Sequence, residues 1–213
     1  QKLPMVHIPM TGGAIVPAYN YPGCDAKMTQ TQLADVFLGK ITNWSTFGCA
    51  DKNIVTVHRS DGSGTTKGFT NSLSVGVGGK GNSGVAGVIK NTEGAIGYLN
   101  YGYVNGGKFQ QVALQNKAGN FVTANSETSA EGLAQIVLDD KLRGADPNPA
   151  GANAYPIVSL TWILAYPDSR PGVKETLRYM LSKEAQGISD SLGYVPLPES
   201  LRQKSLTAVD QID

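Results

Sequence analysis

Apolar positions along the chain alternate between short β-branched runs and stretches with helical spacing. Residues 14–19, with Ile15 and Val16 at their centre, read as a strand that stops at a turn over residues 20–23. Thr29 then suits the N-cap of a helix whose one face carries Leu33, Val36 and Phe37 and whose stop is Gly39. Residues 54–58 predict a short strand, and Phe69 and Leu73, four apart, a helix over 65–73. Asn82 or Ser83 can cap a further helix carrying Val85, Val88 and Ile89. Strands are predicted at 95–99 and 111–114, a helix at 129–142, a loop at 146–153 and a long apolar strand at 155–166. Pro171 suits the start of a helix running toward Leu192, Gly193 its end, and a last helix starts near Pro198. This order of elements predicts an α/β fold with a largely parallel sheet.

Composition narrows the functional classes. The 213 residues allow one large domain or two small ones. Eighteen basic against 17 acidic residues leave a net charge of +1, which removes the electrostatic case for nucleic-acid or membrane-surface binding. No apolar run approaches the ~18 residues of a membrane span. His7 and His58 are the only histidines and Cys24 and Cys49 the only cysteines. That inventory cannot supply a zinc site without carboxylates, and no HExxH or CxxC spacing exists; no metal and no cofactor are expected. A chain starting at Gln1 without Met also reads as processed or truncated.

Candidate chemistry concentrates in residues 58–66, HRSDGSGTT, between a predicted strand and a predicted helix. The first turn of a helix leaves backbone N–H groups unpaired, and its dipole favours an anion there. Gly62 and Gly64 would let a ligand approach the backbone, while Ser63 and Thr65 add hydroxyls. Arg59 adds a planar fork suited to a tetrahedral oxyanion. Asp61 fits such a site if it holds Arg59 or accepts a proton from the ligand. The plainer alternative is a tight Asp-Gly turn with a serine cap. The stretch is neither a Walker loop nor a nucleophile elbow. GVGGKGNSG (76–84) reads as a mobile turn before a helix.

HRSDGSGTT, LADVFLGKITNW (33–44), GNSGVAGVIKNTEGAIGYLNYGY (81–103) and YPIVSLTWILAY (155–166) together resemble the periplasmic phosphate-binding proteins of bacterial phosphate-specific ABC transporters, over nearly the whole chain. The resemblance implies a two-lobed, type II periplasmic-binding-protein-like α/β fold with hinge strands. Residues 1–13 and 159–213 would form a partial first lobe, and 14–158 the second lobe with the anion cradle. The crossings near 11–14 and 157–160 would be the hinge. By position, Arg59, Ser63, Gly64 and Thr65 match the family's phosphate ligands, and Asp61 the acid that orients the arginine. The family carries an N-terminal segment absent here and a longer loop at 74–76, so residues are expected to be missing and an apolar face of the first lobe exposed. Implied partners are inorganic phosphate and the membrane permease of an ABC transporter, with no nucleic acid. A monomer is implied, periplasmic or extracellular, with a lipid anchor as one option.

In an exported protein Cys24 and Cys49 would form a disulfide, contributing roughly 3 kcal/mol through loop entropy; the alternative is two thiols. His58 reads as a structural residue rather than a base. Trp44 and Trp162 are expected in the core. Two functions remain: delivery of phosphate to a transporter, or a secreted phosphomonoesterase-like activity using the same cradle. Catalysis needs an activated nucleophile or a metal, which favours binding without turnover.

Overall fold

The computed structural model describes residues 4–69, 76–145 and 148–213. Strand β1, Val6–Asn20, is fifteen residues long and holds the fold together. Its first part runs antiparallel to β9 (Val158–Ala165), from Val6↔Ala165 to Ala14↔Val158. Its second part, Ile15–Asn20, runs antiparallel to β5 (Ala95–Asn100). The strand starts eight residues before the predicted 14–19 run and passes through Pro9, Gly12 and Gly13, residues that ordinarily weaken a strand. Pro9, which has no N–H to give, falls at a register shift. Gly12 is required by packing, since a Cβ there would lie 2.0 Å from Leu133 Cδ1.

On the far side of β5 lie β3 (Val55–Arg59) and β4 (Val77–Gly79), both parallel to it in the order β4-β3-β5-β1-β6, with β6 (Gln110–Gln111) on the other edge of β1. The sheet is therefore mixed rather than largely parallel, since β1 pairs antiparallel with β5, β6 and β9. β4 corrects the expectation of a mobile turn at 76–84. The expected strand over 111–114 is split between β6 and β7 (Ala113–Gln115), which joins β2 (Lys27–Met28) and β8 (Phe121–Val122) in a small second sheet.

Helix α1 (Gln30–Phe37) forms as its sequence predicts. Thr29 and Gln32 make a capping box, Leu33, Val36 and Phe37 face the core, and Gly39 turns away at φ +71°. Helix α2 (Gly64–Phe69) is described through Phe69; the rest of the predicted 65–73 helix and the 74–75 junction lie outside the described residues. Helix α3 (Gly81–Asn91) starts at Lys80 without a side-chain cap, so neither Asn82 nor Ser83 caps it. Helix α4 (Tyr101–Val104) follows β5 directly.

The expected 129–142 helix is instead α5 (Ser126–Ala134), capped by Asn125. Beyond it, Asp139 Oδ1 accepts the Lys141 and Arg143 N–H groups and closes a turn, with Leu142 at φ 54°. The expected 171–192 helix is broken into α6 (Val173–Met180), α7 (Lys183–Gly187) and a 3-10 turn at Asp190–Leu192, because the Ser182 hydroxyl accepts the Ala185 N–H and starts a new helix. Helix α8 (Glu199–Val209) follows Pro198.

Trp44, Tyr98, Tyr155 and Phe37 are fully buried. Trp162 is only half-buried, with its indole N–H on Leu142 O at 2.7 Å. Cys24 and Cys49 form a disulfide, Cα–Cα 5.2 Å, bracing α1 and the turn at Trp44–Phe47 against the end of β1. No described helix is long and apolar enough to cross a membrane.

Candidate anion-binding site

Strands β3, β4 and β5 run parallel, so Arg59, Gly79 and Asn100 finish at one edge of the sheet. Ligands of open α/β sheets bind beyond such carboxyl ends. The five predicted residues, Arg59, Asp61, Ser63, Gly64 and Thr65, lie in the connection from β3 into α2 at this edge.

Arg59 is held by a fork. Its Nε donates to Asp61 Oδ1 at 2.7 Å and its Nη2 to Oδ2 at 2.6 Å. The Arg59 side chain is only 11% exposed, against 33% for Asp61. The fork does not use Nη1, so the guanidinium is aimed without being fully occupied. Hydrogen bonds from Arg59, and then from the Gly81 N–H at 3.0 Å, hold the Asp61 carboxyl well below the usual carboxylate range, while Asp61 raises the arginine. Asp61 thus serves twice. It fixes Arg59, and it gives α3 the N-terminal acceptor that no local side chain supplies.

Beneath the turn, the Tyr98 hydroxyl accepts the Arg59 backbone N–H (3.1 Å) and bonds Thr66 Oγ1 (2.8 Å). Tyr98 stacks on Phe69 at 4.5 Å and meets Phe37 at 5.9 Å, so an aromatic layer supports the loop. Ser63 Oγ accepts the Thr66 N–H at 3.1 Å, which caps α2 and leaves the hydroxyl proton unused by that bond. Thr65 Oγ1 donates to Asn100 Oδ1 at 3.0 Å. A Cβ at Gly62 or Gly64 would meet no atom within 4 Å, so the packing of the protein does not itself demand glycine there.

Sequence reasoning missed Tyr98, Gly81 and Asn100. Asn100 had a usable signal, the polar residue that ends the apolar run 95–99 on a strand parallel to β3. His58 Nδ1 lies 3.0 Å from Arg59 O, which suits the structural reading. Among the described residues neither histidine is bonded to Ser63 or Thr65, and no cluster of three metal-ligating side chains is found. The arrangement offers a positioned cation, hydroxyls and a helix start. It has the parts to hold an anion, and among the described residues no histidine stands beside Ser63 or Thr65 to serve as a base.

The model of the PBP superfamily domain matches residues 1–184. The phosphate-binding protein PstS of Haemophilus influenzae is 32% identical over 235 residues, covering 93% of this chain and 70% of the relative. The chain belongs to the PstS family. PstS of Methanocaldococcus jannaschii is 31% identical, covering 97% of the chain and 67% of that protein. Both aligned stretches are longer than the chain, so each PstS relative carries inserted residues within its match. Among solved structures, a high-affinity periplasmic phosphate-binding protein with bound phosphate superposes with a TM-score of 0.74 at 16% identity, over 94% of this chain and 70% of that one. An ABC-type phosphate transport receptor from Vibrio cholerae gives 0.64 at 18% identity, over 91% and 73%. These likenesses establish the PstS fold, the α/β periplasmic-binding-protein type, of which this chain spans about 70%.

Proposed function

We propose that this chain binds inorganic phosphate at the 59–65 turn and delivers it to the membrane permease of an ABC phosphate transporter. The observation that carries the reading is the Arg59–Asp61 fork at the mouth of α2, in a chain 32% identical to a phosphate-binding protein. Arg59 supplies the charge, Ser63 and Thr65 supply hydroxyls, and the first turn of α2 at Gly64 supplies backbone N–H donors. Asp61 holds the arginine. In this reading 14–158 form the cradle lobe and 1–13 with 159–213 belong to the other lobe. The partner change along β1 at Ala14 and Ile15 supports a hinge there. The chain works outside the cytoplasm as a monomer, in keeping with its disulfide and with its periplasmic relatives.

Calorimetry with inorganic phosphate tests the assignment. Arg59→Ala strands the Asp61 carboxylate and removes the cation, so the binding free energy should fall by about 3–5 kcal/mol, a loss of at least a hundredfold. A loss under tenfold removes the site from 59–65. Incubation with a chromogenic phosphate ester and divalent metals should give no product; turnover that vanishes in Ser63→Ala would favour the phosphomonoesterase alternative.

A further inference from the structure

Asn100 occupies the N-cap position of α4, where asparagine ordinarily bonds the backbone of the next turn. It makes no side-chain cap bond there, and its amide reaches across to the Thr65 hydroxyl instead, at 3.0 Å. β5 runs parallel to β3 and ends at Asn100, on the edge where the 59–65 turn opens, and Asn100 is exposed there. We propose that Asn100 is a positioning residue of the phosphate site, whose amide sets where the Thr65 hydroxyl points its proton. This inference rests on the phosphate reading and adds to it a residue outside the 59–65 turn.

The residue after Asn100 fixes it in place. Tyr101 is buried and donates to Asp190 Oδ1 at 3.0 Å, and Asn105 Nδ2 donates to Asp190 O at 3.1 Å. The backbones of Gly102 and Gly193 touch, since a Cβ on Gly102 would lie 3.0 Å from both the Cα and the O of Gly193. The 190–195 segment is tied in turn to β1 through paired Gly12–Val195 backbone bonds of 2.9 Å. The start of α4 is therefore clamped between the cradle and the β1–β9 ribbon.

The chemistry needs a neutral amide. With its carbonyl toward Thr65, Asn100 takes the hydroxyl proton, and the Thr65 oxygen accepts from the P–OH of monoanionic phosphate. With its NH2 toward Thr65, the hydroxyl proton turns to an oxygen of the dianion. One residue serves both protonation states of the ligand. The ionisable groups of this neighbourhood include Arg59 and Asp61 from the β3 turn, Tyr98 on β5, Tyr101 and Tyr103 on α4, the latter within electrostatic reach of Arg59, and Asp190 across the junction. Burial, and then Asp190, push Tyr101 up to about 12, so it stays a donor at neutral pH.

The test is calorimetry with inorganic phosphate at about pH 5.5 and about pH 8.5, where the ligand passes from monoanion to dianion. A carboxylate only accepts, so Asn100→Asp should lose about 10-fold at the lower pH and about 100-fold at the higher. Asn100→Ala should lose about 5-fold at both. Simple charge repulsion is separated from positioning by Thr65→Val. In that background the effect of either Asn100 change should shrink by at least threefold, and the alanine cycle stands if the aspartate variant fails to fold. Full additivity, or wild-type affinity in both Asn100 variants, overturns the inference alone. A wild-type protein that binds no phosphate at either pH overturns the phosphate reading and this inference together.

Discussion

In the half built on β3, β4 and β5, Val57, Val85, Ile89, Ile96 and Tyr98 are fully buried between sheet and helices. In the half built on the β1–β9 ribbon, Tyr179, Ile188, Leu192 and Tyr194 stand 60, 56, 65 and 49% exposed. They border an open groove of about 450 Å³ that also touches Met10 and Ile163. Parallel strands covered by helices are buried on both faces, whereas the ribbon half buries Ile8, Leu181, Val195 and Val209 and leaves this groove open. The half with the closed core is also the half that holds Arg59, Asp61, Ser63 and Thr65 in a network needing little from the other, apart from the α4 clamp.

The contrast can be broken most sharply at Trp44. Its indole is fully buried against Tyr19 and Tyr21 and donates to Gly94 O at 2.9 Å. Trp44→Ala should cost about 3–5 kcal/mol in urea unfolding; a cost below about 1 kcal/mol would mean that this half is no better packed than the ribbon. A smaller effect belongs to Asp61. Its carboxyl titrates lower in the folded chain than in the unfolded one, so as pH falls from about 5 the unfolded state takes up the proton first and the folded state loses stability. The advantage of wild type over Asp61→Asn should therefore be constant above about pH 5 and shrink below about pH 4 in acid unfolding followed by circular dichroism. An advantage unchanged at about pH 2 would contradict the Arg59–Asp61 fork. The smallest effect is expected in the groove. Ile188→Ser with Leu192→Ser should leave stability within about 0.5 kcal/mol per site and lower the fluorescence of a bound apolar dye. A cooperative loss as large as that of Trp44→Ala would show the groove to be part of a closed core.

What could be read from the sequence was local. The Thr29 cap, the face of Leu33, Val36 and Phe37, and the Gly39 stop all fall within eleven residues, and α1 forms accordingly. The 59–65 turn was equally legible, as cation, glycines and hydroxyls lie in one run. β4 was not, because its residues are glycine-rich for a reason distant in the chain: a Cβ on Gly79 would sit 2.6 Å from Val85 N, so only glycine lets strand and helix approach. Asn100 and Tyr98 enter the site through the parallel pairing of β3 with β5, which no local pattern reveals. The overlong helix at 171–192 failed where the Ser182 hydroxyl took the Ala185 N–H, and the one at 129–142 ends at Ala134, ahead of the turn in which Asp139 takes the Lys141 and Arg143 N–H groups. An apolar period of 3.6 does not register that competition.

The partner change along β1 also sets how a change of length would travel along the strand. Side chains on a strand alternate with a period of two, and this strand meets β9 with its first part and β5 with its second. Loss of one residue near Gly13 would leave the β5 pairing in place and slide the residues before it by one position, until the register shift between Pro9 and Thr11 takes up the difference. Ile8 would keep its place opposite Ile163, but Thr11 would move to the position of Gly12, where a Cβ runs into the Leu133 side chain. A substitution here costs what its own contacts are worth, whereas a deletion turns over every side chain between itself and the register shift.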